Sequence, residues 1–325
     1  MRRAAALAFI PLLAVVTVAG CGSSSSSKPA ASASADTYKS VTVSGTFNKT
    51  PTVTIPKETG SGQLLTKTLI QGTGATLKLD STDAVFGNYV AYDWSGATNK
   101  LLGSSYPAGA PSVFYGQLLP GLEKALTGQK FGSRVLAVIP PADGFGTSGN
   151  TNAGIGAKDT LVFVIDLISE FPANLSAKQA SSGGGALPTV TPAAANSTTG
   201  ATIKIPAKVT PPKTLVAKDL IKGTGAVVKK GQAIAVQYTG VIWRTGQLFD
   251  SSYSRESPSA FPIGENKVIK GWDNSLVGQT VGSRVLLVVP PVDGYGAAGN
   301  STGSVAIKGT DTLVFVVDIL SAVTD

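Results

Sequence analysis

Tyr238-Thr239-Gly240, Phe249-Asp250-Ser251-Ser252, Phe261-Pro262-Ile263-Gly264, Val268-Ile269-Lys270-Gly271-Trp272, Val289-Pro290-Pro291, Tyr295-Gly296 and Leu313-Val314-Phe315-Val316-Val317-Asp318 follow one another between residues 238 and 318. Short alternating, β-branched and aromatic runs read as strands. Between them lies one short helix candidate, with Gly271 before it, Trp272 and Leu276 four apart on one face, and Gly278 as a stop signal. One helix packed on an antiparallel sheet is the α+β pattern. The aromatics Tyr238, Phe249, Trp272 and Tyr295 accompany a single acid, Asp250. That set suits a small apolar pocket with a few polar groups better than nucleophilic catalysis.

Working outward, the same segments occur earlier in the chain. Leu69-Ile70-Gln71-Gly72-Thr73-Gly74-Ala75 reappears as Leu220-Ile221-Lys222-Gly223-Thr224-Gly225-Ala226. Phe131-Gly132-Ser133-Arg134-Val135-Leu136 reappears as Val281-Gly282-Ser283-Arg284-Val285-Leu286. Pro140-Pro141-Ala142-Asp143-Gly144-Phe145 reappears as Pro290-Pro291-Val292-Asp293-Gly294-Tyr295. The spacing of about 150 residues is that of a duplicated domain, since solenoid repeats have periods of about 20–50. The first copy spans residues 41–171 and the second 201–325. Residues 172–200 between them are rich in Ala, Ser, Gly, Pro and Thr and read as a mobile linker.

The N-terminus has a different character. Arg2 and Arg3 precede an apolar run from Ala4 to Val18, the arrangement of a signal peptide and too short for a comfortable membrane span. Val18-Ala19-Gly20-Cys21 resembles the bacterial lipobox. The resemblance implies cleavage of residues 1–20 and attachment of lipid to Cys21; a secretory signal with an incidental cysteine is the alternative. Acyl chains anchor through about 0.8 kcal/mol per buried methylene. Residues 21–40 then read as a flexible Ser- and Ala-rich tether. These features give the expectation of an extracytoplasmic protein on the outer face of a bacterial cytoplasmic membrane.

The chain of 325 residues contains no histidine and a single cysteine. A zinc site lacks its usual ligands, a Ser-His-Asp or Cys-His arrangement cannot form, and neither can an intramolecular disulfide. No metal and no cofactor are expected. The formal net charge is +8, but the lysines are scattered, without a basic run interleaved with aromatics, and nucleic-acid binding is not expected.

From Leu220 to Leu320 the second copy resembles an FKBP-type peptidyl-prolyl cis-trans isomerase. Tyr-x-Gly, Phe-Asp-Ser-Ser, Val-Ile-x-Gly-Trp, Tyr-Gly and the final Leu-x-Phe-x-Val alternation occur in the family's order. The resemblance implies two domains, each a twisted antiparallel half-barrel sheet wrapped around one short helix. It implies that Tyr238, Asp250, Trp272 and Tyr295 carry catalysis. Trp272 would be the pocket floor, with Tyr238, Phe249 and Phe315 as walls and Phe261 among the substrate-binding residues. Val268 and Ile269 would line the edge, the Ile269 N–H binding a ligand carbonyl. Arg255 would orient Asp250, and Ile307 would supply the apolar residue of the last loop. Proline-containing unfolded or exported polypeptides are the implied partners, with macrolide inhibitors as a further ligand class. Two departures stand out. Ser259 or Ala260 occupies the place of a further family aromatic, and the loop from Tyr295 to Thr312 is longer and rich in Gly, Ser and Thr.

The first copy departs more. Alignment sets Leu102-Gly103-Ser104-Ser105 against Phe249-Asp250-Ser251-Ser252, Leu122 against Trp272 and Phe145 against Tyr295. Acid, floor tryptophan and loop hydroxyl are lost together, whereas Leu161, Phe163, Ile165 and Leu167 persist. The expectation is a folded but poor isomerase that holds a client, or else a spacer. Three readings of the whole chain follow: an envelope-anchored prolyl isomerase, a non-catalytic chaperone or peptide binder using the same groove, and a structural lipoprotein with two decayed domains.

Overall fold

The computed structural model describes residues 41–324, except 59, 61, 80–82, 96–98, 107–108, 176–181, 194–198 and 304. The signal peptide, Cys21 and the tether lie outside the described residues.

The first copy opens with a hairpin, β1 (Thr42–Ser44) and β2 (Thr52–Thr54). Its sheet comprises β3 (Leu65–Ile70), β4 (Asp83–Trp94), β5 (Asn99–Ser104), β6 (Ser112–Phe114), β7 (Arg134–Ile139) and β8 (Thr160–Pro172), with α1 (Pro120–Leu126) after β6. The strand order is β3-β7-β8-β4-β5, with β6 also on β4, antiparallel throughout. The second copy repeats this plan. A small sheet of β9 (Ser182–Gly184), β10 (Leu187–Thr191) and β11 (Thr202–Lys204) precedes β12 (Val216–Ile221), β13 (Ala233–Ile242), β14 (Leu248–Ser251) and β15 (Ser259–Pro262). Then come α2 (Lys270–Leu276), β16 (Arg284–Val289) and β17 (Leu313–Val323), in the order β12-β16-β17-β13-β14 with β15 on β13. Both copies are α+β domains, each an antiparallel sheet around one short helix.

A helix of seven residues does not stand on propensity; it is held by what it packs against. Gly271 makes that packing possible, because a Cβ there would lie 2.6 Å from Val289 Cγ1. Gly271 is thus in the first turn and not before the helix. Gly121 is its counterpart, with a Cβ position 2.5 Å from Ile139 Cγ2. Gly278, at φ +89°, takes the left-handed conformation that ends α2.

Each sheet is buried on both faces, which is why β7 and β16 read as continuous apolar runs. The inner face holds the helix and the main core, including Ile234, Leu276, Val285, Leu287 and Val317 in the second copy. The outer face of that sheet, with Trp243, Leu286, Val288 and Val314, is covered by Val190, Ala201 and Ile203. Val41, Val43 and Val53 cover Val90, Trp94, Leu136 and Val162 in the first copy. The linker reading of residues 172–200 therefore needs correction. Leu187–Thr191 is a strand, paired with β11 and burying Val190 completely. The run Leu187-Pro188-Thr189-Val190 is short and surrounded by linker-like composition, and pairing with β11 and burial of Val190 on the outer face order it.

The repeated Gly-Ser-Arg segment has a structural role in both copies. Arg134 Nε and Nη2 donate to Asp166 Oδ1 and Oδ2, each at 2.7 Å, and Arg284 makes the same fork with Asp318, each at 2.6 Å. Paired this closely, neither charge is left uncompensated inside the fold. Ser133 and Ser283 accept the backbone N–H of Gly72 and Gly223, each at 2.9 Å.

Candidate functional site

Alternation along β13 turns Tyr238 inward, and its neighbours β14, β15 and β17 bring Phe249, Phe261 and Phe315 to the same side. Trp272, in the first turn of α2, closes the set. Its ring centroid lies 5.2 Å from Tyr238, 5.3 Å from Phe261 and 5.5 Å from Phe315, at interplanar angles of 89°, 81° and 81°. Phe249 meets Phe315 edge-on at 5.5 Å. Edge-to-face contacts of this kind are favourable beyond area burial, by about 0.5–1.5 kcal/mol each. They hold the rings in one fixed arrangement. Val268, Ile269 and Ile307 pack on the same cluster. Gly240 belongs to the design: a Cβ there would lie 2.9 Å from both Phe249 Cζ and Phe315 Cε1.

One polar group interrupts this surface. Tyr238 donates to Asp250 Oδ2 at 2.5 Å, and Arg255 donates through Nη1 to Asp250 Oδ1 and through Nη2 to the Tyr238 oxygen, both at 2.6 Å. The guanidinium also lies 5.5 Å from the Tyr238 ring centroid, within cation–π range. Burial, then the Asp250 charge, push the Tyr238 phenol well above its ordinary pKa, with Arg255 opposing. Tyr238 is therefore a protonated donor at neutral pH. Asp250 and Arg255 are part-exposed, with side-chain exposures of 41% and 39%. Ser259 Oγ accepts from Arg255 at 3.4 Å, so the place of the missing aromatic extends the polar corner. Tyr295 stands in the turn after β16, 38% exposed, and burial raises its pKa. The Trp272 indole N–H is buried and finds no partner among the described residues.

The structure thus brings Tyr238, Phe249, Asp250, Arg255, Phe261, Trp272 and Phe315 together, with Val268, Ile269 and Ile307 packed on the cluster and Tyr295 in the loop. Two groups escaped sequence reasoning. Asp273 accepts the N–H of Gly264 at 2.6 Å and of Asn266 at 2.7 Å, holding the loop that carries Val268 and Ile269. The serines after Asp250 fix Tyr238: its N–H donates to Ser252 Oγ at 2.8 Å, and Ser251 Oγ donates to its carbonyl at 3.0 Å. An acid in a helix first turn and a Ser-Ser pair after a strand were the available signals, and both are common for unrelated reasons.

The first copy retains part of the groove. Tyr89 keeps contacts with Phe114 at 6.1 Å and Phe163 at 6.4 Å. Register makes Phe114 the counterpart of Phe261, a correspondence the alignment above does not contain. The floor is Leu122. Gly103 faces the Tyr89 hydroxyl, where a Cβ would be 3.2 Å from the oxygen, so the acid of the second copy has no equivalent.

No nucleophile–base pair is assembled here, and the described residues contain no cluster of three or more potential metal ligands. What remains is an aromatic cluster bordered by one acid–phenol–guanidinium corner. The family model for FKBP-type peptidyl-prolyl cis-trans isomerases matches residues 79–168 and again 225–320. The chain belongs to this family and carries its domain twice. It is similar to the FK506-binding protein of Streptomyces anulatus, 40% identical over 111 residues, which span 34% of this chain and 88% of that protein. It is also similar to the peptidyl-prolyl cis-trans isomerase FPR2 of Saccharomyces cerevisiae, 46% identical over 69 residues, or 21% of this chain and 51% of that one. Among solved structures, the three FKBP domains of wheat FKBP73 match 82% of this chain and 97% of theirs, with 24% identity and a TM-score of 0.32.

Proposed function

We propose that the second domain carries the isomerase activity, acting on X–Pro bonds of exported polypeptides at the cell envelope. The observation that supports this division is the Tyr238–Asp250–Arg255 corner above the Trp272 floor, against Gly103 and Leu122 in the first copy.

The reaction needs no acid–base pair. The barrier to rotation about a peptide bond is about 18–20 kcal/mol and arises from amide resonance. Uncatalysed X–Pro exchange takes on the order of tens to hundreds of seconds. The twisted carbonyl is less polar than the planar amide, so a rigid apolar groove favours it relative to water. The aromatic walls seat the proline ring, and the loop residue Tyr295 offers a hydroxyl donor to the flanking peptide, while the Tyr238 proton stays on Asp250. Asp250, held from both sides, is a fixed charge beside the rotating carbonyl. Removing about 7 kcal/mol from the barrier brings exchange into milliseconds.

The first copy keeps Tyr89, Phe114 and Phe163 without the polar corner, which supports a groove that holds apolar segments of a client without turning them over. The envelope location rests on Arg2, Arg3 and Val18-Ala19-Gly20-Cys21. Cys21 carries the lipid in this reading, and Cys21→Ser releases the protein from the membrane fraction.

A client whose refolding is limited by proline isomerisation tests enzyme against chaperone. The full chain accelerates the slow phase, and Trp272→Leu abolishes that acceleration. Suppression of aggregation without any change in the slow phase would instead support the non-catalytic reading.

A further inference from the structure

Equivalent positions of the two copies meet. Phe86 lies opposite Ser169 and Val113 in its sheet, and Ala235 lies opposite Ser321 and Ala260 in the other. Phe86 and Ala235 are therefore one position of the fold, as are Val113 and Ala260. By the same register Phe171 corresponds to Val323, since they face Ala84 and Ala233. These residues of both copies, with Ile168 and Leu320, pack into a single apolar cluster. A surface that meets its own counterpart is the geometry of a twofold dimer, here closed within one chain. The two sides differ in bulk. Phe86 and Phe171, both buried, have their ring centroids 4.8 Å apart, whereas the second copy presents Ala235 and Ala260.

This contact leads to the groove by two routes. Successive strand residues point to opposite faces. Ala260 packs on the first copy, so Phe261 turns into the groove and reaches Tyr238 at 6.0 Å and Trp272 at 5.3 Å. The second route is polar. Gln237, 4% exposed, donates through Nε2 to the carbonyl of Ala173, the residue after β8, at 3.3 Å. The Ser252 hydroxyl donates to Gln237 Oε1, and Ser252 in turn accepts the Tyr238 N–H at 2.8 Å. In the first copy Asn88 occupies the Gln237 position and donates to Asn48 of its own hairpin at 2.8 Å.

We propose that the first copy is a positioning partner of the second groove: docked behind β15 and on Gln237, it holds Phe261 and Tyr238 where they bind the prolyl segment. Phe86 and Gln237 are positioning residues in this arrangement. The inference rests on the reading that the second groove is the active one.

The test uses the full chain and exchange NMR on an X–Pro peptide at several concentrations. Phe86→Ala and Gln237→Met each raise KM about threefold or more while kcat changes less than about twofold, the signature of lost binding geometry. Phe86→Leu restores most of the loss. Val113→Ser, at the half-buried rim, raises KM in the same direction without endangering the fold. Leu136→Ala, which opens a cavity on the first copy's outer face away from the contact, leaves KM unchanged. An unchanged KM in Phe86→Ala, Val113→Ser and Gln237→Met overturns the proposal, and so does an equal rise in Leu136→Ala. Wild-type chain without activity overturns the functional reading and this inference with it. An active wild type indifferent to these substitutions overturns this inference alone.

Discussion

Tyr238 donates its hydroxyl to Asp250 at 2.5 Å, at the polar edge of a cluster of aromatic rings. Arg255 is what keeps both partners in place, since it donates to each of them. Arg255→Met should therefore lower kcat/KM about three- to tenfold while leaving thermal stability nearly unchanged, because part-exposed ion pairs contribute only about 0–1 kcal/mol. Exchange NMR and a melting curve on the same sample check both halves. A large loss of stability with the activity kept would assign Arg255 to the fold.

The pH dependence of the reaction should be flat. The Tyr238 phenol is pushed above its ordinary value by burial and by Asp250, so it remains a donor between about pH 6 and 9. Raising the pH into that window does not deprotonate Tyr238, and loss of activity begins only beyond the ordinary phenol range. A step in kcat/KM with a mid-range pKa would mean that a titrating base takes part.

Asp93 gives the first copy its own pH signature. It is 4% exposed, and burial together with Asp159 raises its pKa to about 6, opposed by Lys100. The Asp93 Oδ1 atom has no hydrogen-bond partner among the described residues. A folded pKa above the unfolded value favours the fold below the unfolded pKa, and that contribution is lost as pH rises through about 6. Asp93→Asn should then stabilise the first copy by on the order of 2 kcal/mol at pH 8 and hardly at all at pH 4. Urea unfolding at the two pH values measures the difference.

The strand within residues 187–191 should matter to the second domain. Val190 is fully buried in the outer-face cluster that also holds Val241, Leu286 and Val314. Val190→Asp places an unpaired charge there and should destabilise the second copy by about 3 kcal/mol or more. Denaturant unfolding of the full chain reads this directly. An unaffected transition would restore the mobile-linker description of this stretch.

Much of the fold was legible in the sequence because the decisive segments are local and occur twice. Tyr-x-Gly and Phe-Asp-Ser-Ser carry both strand alternation and groove chemistry, and Gly271-Trp272 marks the helix. The ion pair of Asp250 with Arg255 was legible only through family resemblance, since five residues across a turn fix no geometry. Phe114 went unrecognised because an insertion in the preceding region blurs alignment, whereas strand register identifies it at once. Asp273 and Ser252 act through backbone N–H groups, and a sequence does not show which backbone group a side chain will meet. The contact of Phe86 with the Ala235 region was hidden for another reason. β4 and β13 are apolar on both faces, and periodicity then gives no sign of which face belongs to which core.

The central claim is that the second groove performs the isomerisation. It is tested most directly by exchange NMR on an X–Pro peptide with three full-length proteins: the wild type, Asp250→Gly/Trp272→Leu, and Tyr89→Phe/Phe145→Ala, which alters half-buried positions of the first copy's counterpart site and leaves its core in place. The first double substitution gives the second groove the residues that the first copy carries at those positions. The account predicts a loss of kcat/KM of about a hundredfold or more in that protein, or roughly 3 kcal/mol of transition-state stabilisation, and a change of less than about threefold in the other. Activity kept by Asp250→Gly/Trp272→Leu and lost by Tyr89→Phe/Phe145→Ala would contradict it.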